Sequence, residues 1–248
     1  MNTAKDTLLI TGGGTGIGRA FAEALHAKGA NVIIAGRRAD VLEQVCAANP
    51  GMAFDTVDVA DAGSITAFAA RVIATHPDLN AVISNAGVMK VEDLSAGTFD
   101  HGIVDETVAI NLLGTIRLAA AVLPHLLTKP SASFVTVSSG LAFVPLAATP
   151  TYSATKAAIH SWTQALRTQL AGTSVKVIEW APPGVATDLM PGHADDPRSM
   201  PLADFTAESL GLFEAGEAEV MVERVKFLSE AERRGDYAAV YEALNGAH

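Results

Sequence analysis

The sequence has little of what several classes of protein need. It contains one cysteine in 248 residues, so no disulfide can form within the chain. Its 17 lysines and arginines face 27 aspartates and glutamates, and a formal net charge of −10 argues against a nucleic-acid partner, because phosphates attract basic surfaces. Its seven histidines are scattered, without the ligand spacing of a metal site. We therefore expect chemistry that needs no metal, and no nucleic acid as a partner.

Long hydrophobic runs are also lacking. The longest, such as 118–123, fall well short of the ~18 residues that a membrane-spanning helix needs. The first residues lead directly into a strand and a glycine turn, without the apolar core and cleavage site of a signal peptide. We therefore expect a cytoplasmic protein with no membrane segment. A chain of this length, 49% hydrophobic and 18% charged, suits one globular domain spanning 1–248.

Apolar strands alternate with amphipathic helices along the chain. The hydrophobic pattern predicts strands at 7–11, 31–36, 52–59, 80–87, 132–139 and 174–180, and helices at 17–29, 39–49, 62–76, 104–127 and 151–171. Helical patterns at 203–213 and 224–244 flank a short strand at 219–222. This alternation predicts an α/β fold, a doubly wound parallel sheet of about seven strands with helices on both faces. Ligands bind such sheets at the carboxyl ends of the strands.

The first strand ends in the glycine-rich stretch "TGGGTGIG", with glycines at 12, 16 and 18. Glycine lets the backbone turn sharply and come close to a pyrophosphate, and the N-terminus of the following helix attracts the anion. The spacing is not the G-x-G-x-x-G of many dinucleotide sites, and a glycine cluster can also be an ordinary turn. Its place after the first strand favours a dinucleotide site.

The next strand ends supply further candidate ligand contacts. The second ends in "AGRR", where Arg37 and Arg38 stand in place of the acidic residue that binds the ribose of NAD. Two arginines suit the 2′-phosphate of NADP, although they could also be solvated residues at a helix start. Asp58-Val59 and Asn85-Ala86-Gly87 end the third and fourth strands and suit a wall beside a flat ligand. Either stretch alone is weak evidence for a ligand site, since Asp and Asn are common at strand ends.

Ser139 lies at the end of the fifth predicted strand, and Tyr152 and Lys156 lie four residues apart on the next predicted helix. Alone, the pair could be a rim tyrosine and a solvated lysine. If the strand and the helix are neighbours, the hydroxyl, the phenol and the ammonium converge near the ligand. We expect the cation to lower the pKa of the phenol, so that Tyr152 exchanges a proton with a substrate oxygen during hydride transfer.

Together these residues resemble a known family. "TGGGTGIG", "SNAG", "VAINLLG", Ser139 and "YSATK", in this order and spacing, are similar to the short-chain dehydrogenase/reductase family, over essentially the whole chain. "SSGLAFVPLA", "TPTYSATKAAIHS", "APPGVATDL" and "EVMVERVKFLSEAERRGDY" further resemble its DltE-like oxidoreductases. The resemblance implies a Rossmann-type fold and a nicotinamide cofactor.

The family resemblance implies specific roles. Tyr152 would be the general acid/base, Lys156 would lower its pKa and hold the ribose, Ser139 would bind the substrate oxygen, and Asn111 would hold a water of a proton relay. Asn111 taken alone could equally be a satisfied core residue. The implied cofactor contacts are Gly12, Gly14, Thr15, Gly16, Ile17, Gly18, Arg37, Arg38, Asp58, Val59, Asn85, Ala86, Gly87, Tyr152, Lys156, Pro182, Gly184, Val185 and Thr187.

Two positions depart from the family pattern. Ser84 stands where the family usually has the first asparagine of Asn-Asn-Ala-Gly, and serine keeps a donor and an acceptor. Pro183 replaces the glycine of the usual Pro-Gly-x-Val-x-Thr, and proline fixes φ and removes an N–H. Val185 and Thr187, implied contacts of the nicotinamide amide, remain in place.

The substrate side of the site is predicted to be mainly apolar. Its expected walls are Met89, Leu141, Phe143, Val144, Gly184 and the segment 188–205, which we expect to act as a lid within a loop region at about 188–213. His193, Arg198 and Lys90 could bind a carboxylate or could be surface charges. A ketone, an aldehyde or a secondary alcohol with an apolar body is the expected substrate.

The sequence thus predicts an NADP-dependent carbonyl reductase or alcohol dehydrogenase, with NAD the less favoured cofactor. Two alternatives stay open: a non-catalytic NADP-binding regulator or scaffold, and reduction of a C=N or C=C bond. The helix at 104–127 is apolar nearly all round. A helix with two apolar faces needs two partners, so we expect it to pair, with 151–171, across a homodimer or homotetramer interface.

Overall fold

The computed structural model describes residues 1–95, 97, 100–190 and 192–246. In these residues, seven parallel strands form one sheet in the order β3-β2-β1-β4-β5-β6-β7. The strands are β1 (Thr7–Thr11), β2 (Asn31–Gly36), β3 (Ala53–Thr56), β4 (Ala81–Ser84), β5 (Ala132–Val137), β6 (Val175–Trp180) and β7 (Glu219–Val220). The predicted doubly wound fold is confirmed.

The strand order reverses beside β1, which pairs with β2 on one side and with β4 on the other. The connection after β1 runs to one half of the sheet and the connection after β3 to the other. The loops at the carboxyl ends therefore separate here and leave a crevice, the usual ligand position in this architecture. The glycine turn after β1 lies at this crevice.

Helices cover both faces of the sheet because every central strand is apolar on both sides. One core contains Phe21, Leu42, Phe205 and Phe213, and the other contains Phe68, Val122 and Leu166. The helices are α1 (Gly16–Ala27), α2 (Ala39–Ala48), α3 (Ala62–Thr75), α4 (His101–Val108), α5 (Thr115–Leu126), α6 (Pro150–Gln169), α7 (Leu202–Ala215), α8 (Glu223–Ser229), α9 (Ala231–Arg234) and α10 (Tyr237–Asn245).

The helix predicted at 104–127 is longer and less regular than expected. It starts at His101, and a π-helical turn over Ala109–Gly114 separates α4 from α5. By length and composition alone, His101–Leu126 could cross a membrane, although the uninterrupted apolar runs within it are short. Leu118, Val122 and Leu126 are fully buried in the core, so one face of this helix packs inside the fold.

The C-terminal region differs from the predicted pattern in two places. The helix predicted at 224–244 consists of α8, α9 and α10, and Gly235, with φ +80°, ends α9. Residues 202–215 form α7, whose Phe205 and Phe213 are buried in the core. A lid therefore cannot include α7, and the prediction of a lid remains for 188–200 only. Pairing of Val185 with Met200 joins the last residue of this loop to the chain three residues before its start.

Candidate active site

The glycine turn after β1 is shaped by close backbone contacts. Gly12 has φ +69°, and a Cβ there would lie 2.9 Å from the Cα of Ala86. A Cβ on Gly18 would lie 2.4 Å from the carbonyl oxygen of Gly12, so any side chain would push α1 off the turn. Thr15, the N-cap residue of α1, makes no side-chain capping hydrogen bond. Within the described part of the chain, the first N–H groups of α1 therefore have no side-chain acceptor from the N-cap, and they suit an anion.

A cleft runs from the glycine turn past the end of β2 and towards β4. Arg37 and Arg38 line it, and their exposed side chains make no hydrogen bond or ion pair with the described part of the chain. Five apolar lining residues were not predicted: Val57 and Val88 follow strand ends, whereas Val41, Leu42 and Ile110 lie on helices and carry no sequence signal of a site. The lining consists of Gly12, Gly14, Thr15, Gly36, Arg37, Arg38, Val41, Leu42, Val57, Val59, Ala86, Gly87, Val88 and Ile110.

Other predicted cofactor residues lie beside the cleft without lining it. The Asn85 amide donates to the carbonyl oxygens of Thr11 (2.9 Å) and Gly12 (3.3 Å), so it ties the end of β4 to the glycine turn. The Asp58 carboxylate accepts from the N–H of Ala60 at 2.9 Å. Gly16 and Ile17 begin α1, with Ile17 packed on the core. Asn85 and Asp58 therefore shape the walls through their own loops.

The loop after β6 accommodates both prolines and reaches the glycine turn. The Pro182 carbonyl accepts from the N–H of Gly140 at 2.9 Å, and the Gly184 carbonyl accepts from Met200 at 2.8 Å. Neither contact needs an N–H from residue 183, so Pro183 breaks no hydrogen bond here. Thr187 Cγ2 lies 3.7 Å from the position of a Cβ on Gly16. The loop therefore faces the start of α1 across the crevice.

Ser139, Tyr152 and Lys156 come together at the carboxyl end of β5. Lys156 Nζ donates to the Val137 carbonyl at 2.8 Å and lies 5.4 Å from the centre of the Tyr152 ring. Ser139 Oγ accepts from the Leu141 N–H at 3.1 Å, and its side chain hydrogen-bonds Tyr152. All three residues are less than a tenth exposed. The alternative, a partly exposed tyrosine beside a solvated lysine, is inconsistent with this burial.

Burial dominates the acid–base properties of the pair. It raises the pKa of Tyr152 to about 12, and the hydrogen bond with Ser139 acts in the opposite direction. Burial also lowers the pKa of Lys156 from 10.5 to about 8. The expected lowering of the Tyr152 pKa is therefore not seen in the protein alone, because desolvation of the phenolate is the largest cause and raises this pKa. At neutral pH Tyr152 is a phenol that can donate a proton.

Asn111 lies in the π-helical turn, and its amide bonds to the backbone. Its Oδ1 accepts from the Val88 N–H and its Nδ2 donates to the Val88 carbonyl, both at 2.9 Å. A Cβ on Gly87 would lie 3.3 Å from Asn111 Oδ1 and 3.8 Å from Lys156 Nζ. Asn111 and Lys156 therefore approach the same small space across Gly87. π-Helical turns occur frequently at functional sites.

The substrate side differs in part from its prediction. Val144 is fully buried against Ala231 and Val240, so it belongs to a core with the C-terminal helices and forms no pocket wall. Lys90 pairs with Glu106, and Arg198 pairs with Asp196. His193 is the member of this trio that approaches the site, with its ring 3.6 Å from the position of a Cβ on Gly184.

These features fit a dinucleotide. The uncapped start of α1 suits a pyrophosphate, and the cleft has apolar walls for a flat ring. At one end stand two arginines whose side chains have no partner among the described residues. The other end leads past Gly87 to Lys156 and Tyr152. No group of three or more His, Cys, Asp or Glu among the described residues could hold a metal ion.

Comparisons with known proteins agree with this geometry. The family model described as short chain dehydrogenase matches residues 6–197. An uncharacterized oxidoreductase, DltE, of Bacillus subtilis is 37% identical over 99% of this chain and 98% of its own length. A short chain dehydrogenase from Burkholderia cenocepacia, solved in complex with NADP, has a TM-score of 0.85 at 24% identity, covering 98% and 99% of the two chains. A Burkholderia phymatum member, in complex with NAD, has a TM-score of 0.82 at 19% identity, covering 96% of each chain.

Proposed function

Because the chain belongs to the short-chain dehydrogenase family, and within it to the DltE-like oxidoreductases, we propose that it is an NADP(H)-dependent carbonyl reductase or alcohol dehydrogenase. The observation that carries this proposal is the meeting of Ser139, Tyr152 and Lys156 at one end of the dinucleotide-shaped cleft. A binding protein without turnover has no chemical need for a buried phenol, hydroxyl and ammonium together.

The side chains divide the work of reduction among them. A nicotinamide held in the cleft would supply the hydride for such a reduction. Tyr152, a phenol at neutral pH, donates its proton to the substrate oxygen. The Ser139 hydroxyl accepts from Leu141, so its own proton is available to the same oxygen. Lys156 stabilises the tyrosinate that forms and would hold the ribose hydroxyls, from its anchor on Val137.

Arg37 and Arg38 support NADP over NAD. They lie in the cleft without a partner among the described residues, at the strand end where an acidic residue binds the ribose of NAD. A guanidinium there suits a 2′-phosphate. The related fold from Burkholderia cenocepacia was solved in complex with NADP and that from Burkholderia phymatum with NAD, so the fold accepts either cofactor.

The proposal is tested by following NADPH consumption over a panel of ketones and aldehydes, with NADH in parallel. We expect turnover of at least one carbonyl compound with an apolar body, and faster turnover with NADPH. NADPH binding without consumption on the whole panel would contradict the proposal and favour a regulator. Consumption on C=C or C=N compounds alone would move the activity to those bonds.

The rate of reduction is expected to fall in alkaline solution. Lys156, with a pKa of about 8, loses its positive charge as the pH rises, whereas Tyr152, with a pKa of about 12, keeps its proton. Without the ammonium, the tyrosinate formed in the reaction is not stabilised. We expect kcat/KM for the carbonyl to be constant below this pKa and to fall about tenfold per pH unit above it. A profile that stays flat through this range would contradict the role of Lys156.

A second copy of the chain is the proposed partner of the helix α4–α5 region. An apolar groove between this region and α6 is lined by Leu94, Val108, Leu112, Pro150 and Ala154. We expect sedimentation at micromolar concentration to show a dimer or tetramer, and the Leu112→Glu variant to be a monomer, because a buried unpaired charge is costly. Leu127→Glu, at an exposed residue beyond α5, is the matched control. A monomeric wild-type protein would contradict this proposal.

A further inference from the structure

A buried carboxylate that the proposed mechanism does not use lies next to the catalytic side chains. Glu179, on β6, has no exposed surface. Its Oε1 accepts from Ser138 Oγ at 2.5 Å, and both of its oxygens lie 2.9 Å from Nδ1 of His160. Because burying a carboxylate is costly unless it is paired and hydrogen-bonded, Glu179 depends on both partners.

The two partners of Glu179 belong to the elements that carry the catalytic residues. Ser138 directly precedes Ser139 at the end of β5. His160 lies on α6, one turn beyond Lys156 and two turns beyond Tyr152, so the three residues share a face of the helix. Glu179 therefore connects the strand end that presents Ser139 with the helix that presents Tyr152 and Lys156.

The His160 ring also supports the turn that follows Ser139. It meets the ring of Phe143 edge-on, with centroids 4.7 Å apart at an interplanar angle of 61°. Phe143 follows the short 3₁₀ turn Gly140–Ala142, on the side of the site where the substrate is expected. The imidazole is thus held between the catalytic helix and the substrate-side turn, with 22% of its side chain exposed.

We propose that His160 and Glu179 are positioning residues for the carbonyl substrate, and that they hold Ser139 and the Phe143 turn in register with Tyr152. This inference rests on the proposed function. It assigns the pair no contact with the cofactor, because neither residue lines the cleft of the glycine turn and the arginines. Loss of the pair should therefore impair use of the substrate and leave NADPH binding unchanged.

The charges around His160 favour its protonated form. The hydrogen bond to Glu179 is the largest cause of the raised pKa of His160. The negative charges of Glu179 and Glu219 raise this pKa further. Burial and the positive charge of Arg167, on the same helix, lower it. Gln164 carries no charge and lies one turn further along α6, with its Nε2 3.2 Å from His160 Nε2. Because both ring nitrogens of a protonated imidazole donate, the Gln164 amide presents its oxygen to that form. The protonated imidazole neutralises the buried carboxylate. Removing His160 alone would leave Glu179 as an unpaired buried charge, which is strongly destabilising.

The cost of an unpaired Glu179 charge allows a positioning role to be distinguished from a purely structural one. We would compare His160→Ala with the double variant His160→Ala/Glu179→Gln, which lacks the unpaired charge. We expect His160→Ala to lower Tm and the double variant to recover most of that loss. We expect both to keep kcat/KM about tenfold or more below wild type, because neither supports the Phe143 turn. If His160→Ala does not fold, the double variant alone gives the kinetic answer.

The kinetic readout uses the best carbonyl compound of the panel, with the NADPH affinity measured by fluorescence titration well below each Tm. We expect the Kd of NADPH to change by less than about twofold, as for a residue outside the binding site. His125→Ala is the matched control, since the ring of that histidine also makes a hydrogen bond, in this case to the Leu79 carbonyl before β4, at the amino ends of the strands. It should lower Tm without lowering kcat/KM.

The outcomes distinguish this inference from the proposed function. If kcat/KM recovers together with Tm in the double variant, the pair is structural and the inference is overturned. If NADPH affinity falls in parallel with kcat/KM, the claim of a substrate-side role is overturned. If the wild-type protein reduces no carbonyl compound, the proposed function fails first and the inference fails with it.

Discussion

The Tyr152→Phe variant is expected to lose about 10²–10⁴-fold in kcat, the range typical for removal of a general acid. The phenylalanine ring keeps the shape of the buried tyrosine and its position 5.4 Å from the Lys156 ammonium, so packing should be preserved. What disappears is the proton that the substrate oxygen must receive. We therefore expect an unchanged Tm, and a change in the Kd for NADPH that is small beside the loss of kcat.

The control for this prediction is Tyr237→Phe. Tyr237 lies on α10, is 38% exposed and stacks on Tyr241, away from the β5 end. This variant should keep wild-type kcat. Steady-state kinetics with saturating NADPH would make the comparison. Wild-type turnover by Tyr152→Phe would mean that another group, or water, protonates the substrate, and would remove Tyr152 from the mechanism.

The second large effect concerns the choice of cofactor. Replacing Arg37 or Arg38 by alanine should weaken NADPH binding and leave NADH binding unchanged, because the two cofactors differ by the 2′-phosphate alone. A hydrogen bond to a charged group contributes about 1.5–3 kcal/mol, which corresponds to a roughly 10- to 150-fold change in Kd. The double variant Arg37→Ala/Arg38→Ala should bind the two cofactors about equally.

Fluorescence titration with NADPH and NADH would test this prediction. Arg233→Ala is the matched control, because Arg233 is a surface arginine on α9, paired with Glu230. Its removal changes the net charge by the same amount without touching the cleft. Equal losses of NADPH affinity in Arg37→Ala and Arg233→Ala would indicate a general charge effect. Tighter binding of NADH than NADPH by the wild type would contradict the choice of NADP outright.

Local sequence patterns sufficed for the sheet and its ligand-binding edge. Continuous apolar segments with glycine or polar ends predicted the strands, and the β–α alternation predicted that the strands are parallel. The third strand was predicted four residues too long, since "MAFDTVDV" stays alternating beyond Thr56. The candidate site residues near the strand ends could be named from the sequence because they lie within two residues of a strand, as Ser139 and Arg37 do.

Features that depend on contacts between distant segments could not be predicted in this way. The π-helical turn at Ala109–Gly114 keeps the apolar pattern of an ordinary helix, so the sequence carries no sign of it. Burial of Tyr152 became evident from the packed structure, and it reverses the expected direction of the pKa shift. Glu179 read as an ordinary strand residue, because its partners Ser138 and His160 are 41 and 19 residues away.

Transfer of deuterium from labelled NADPH tests the central claim most directly. The protein would be incubated with NADPH carrying deuterium at C4 of the nicotinamide, in either stereochemical position, and with the mixed ketones and aldehydes. We expect an alcohol product with one deuterium on its former carbonyl carbon, formed from one of the two stereoisomers of labelled NADPH. Tight binding of NADPH with no deuterium in any product would contradict it.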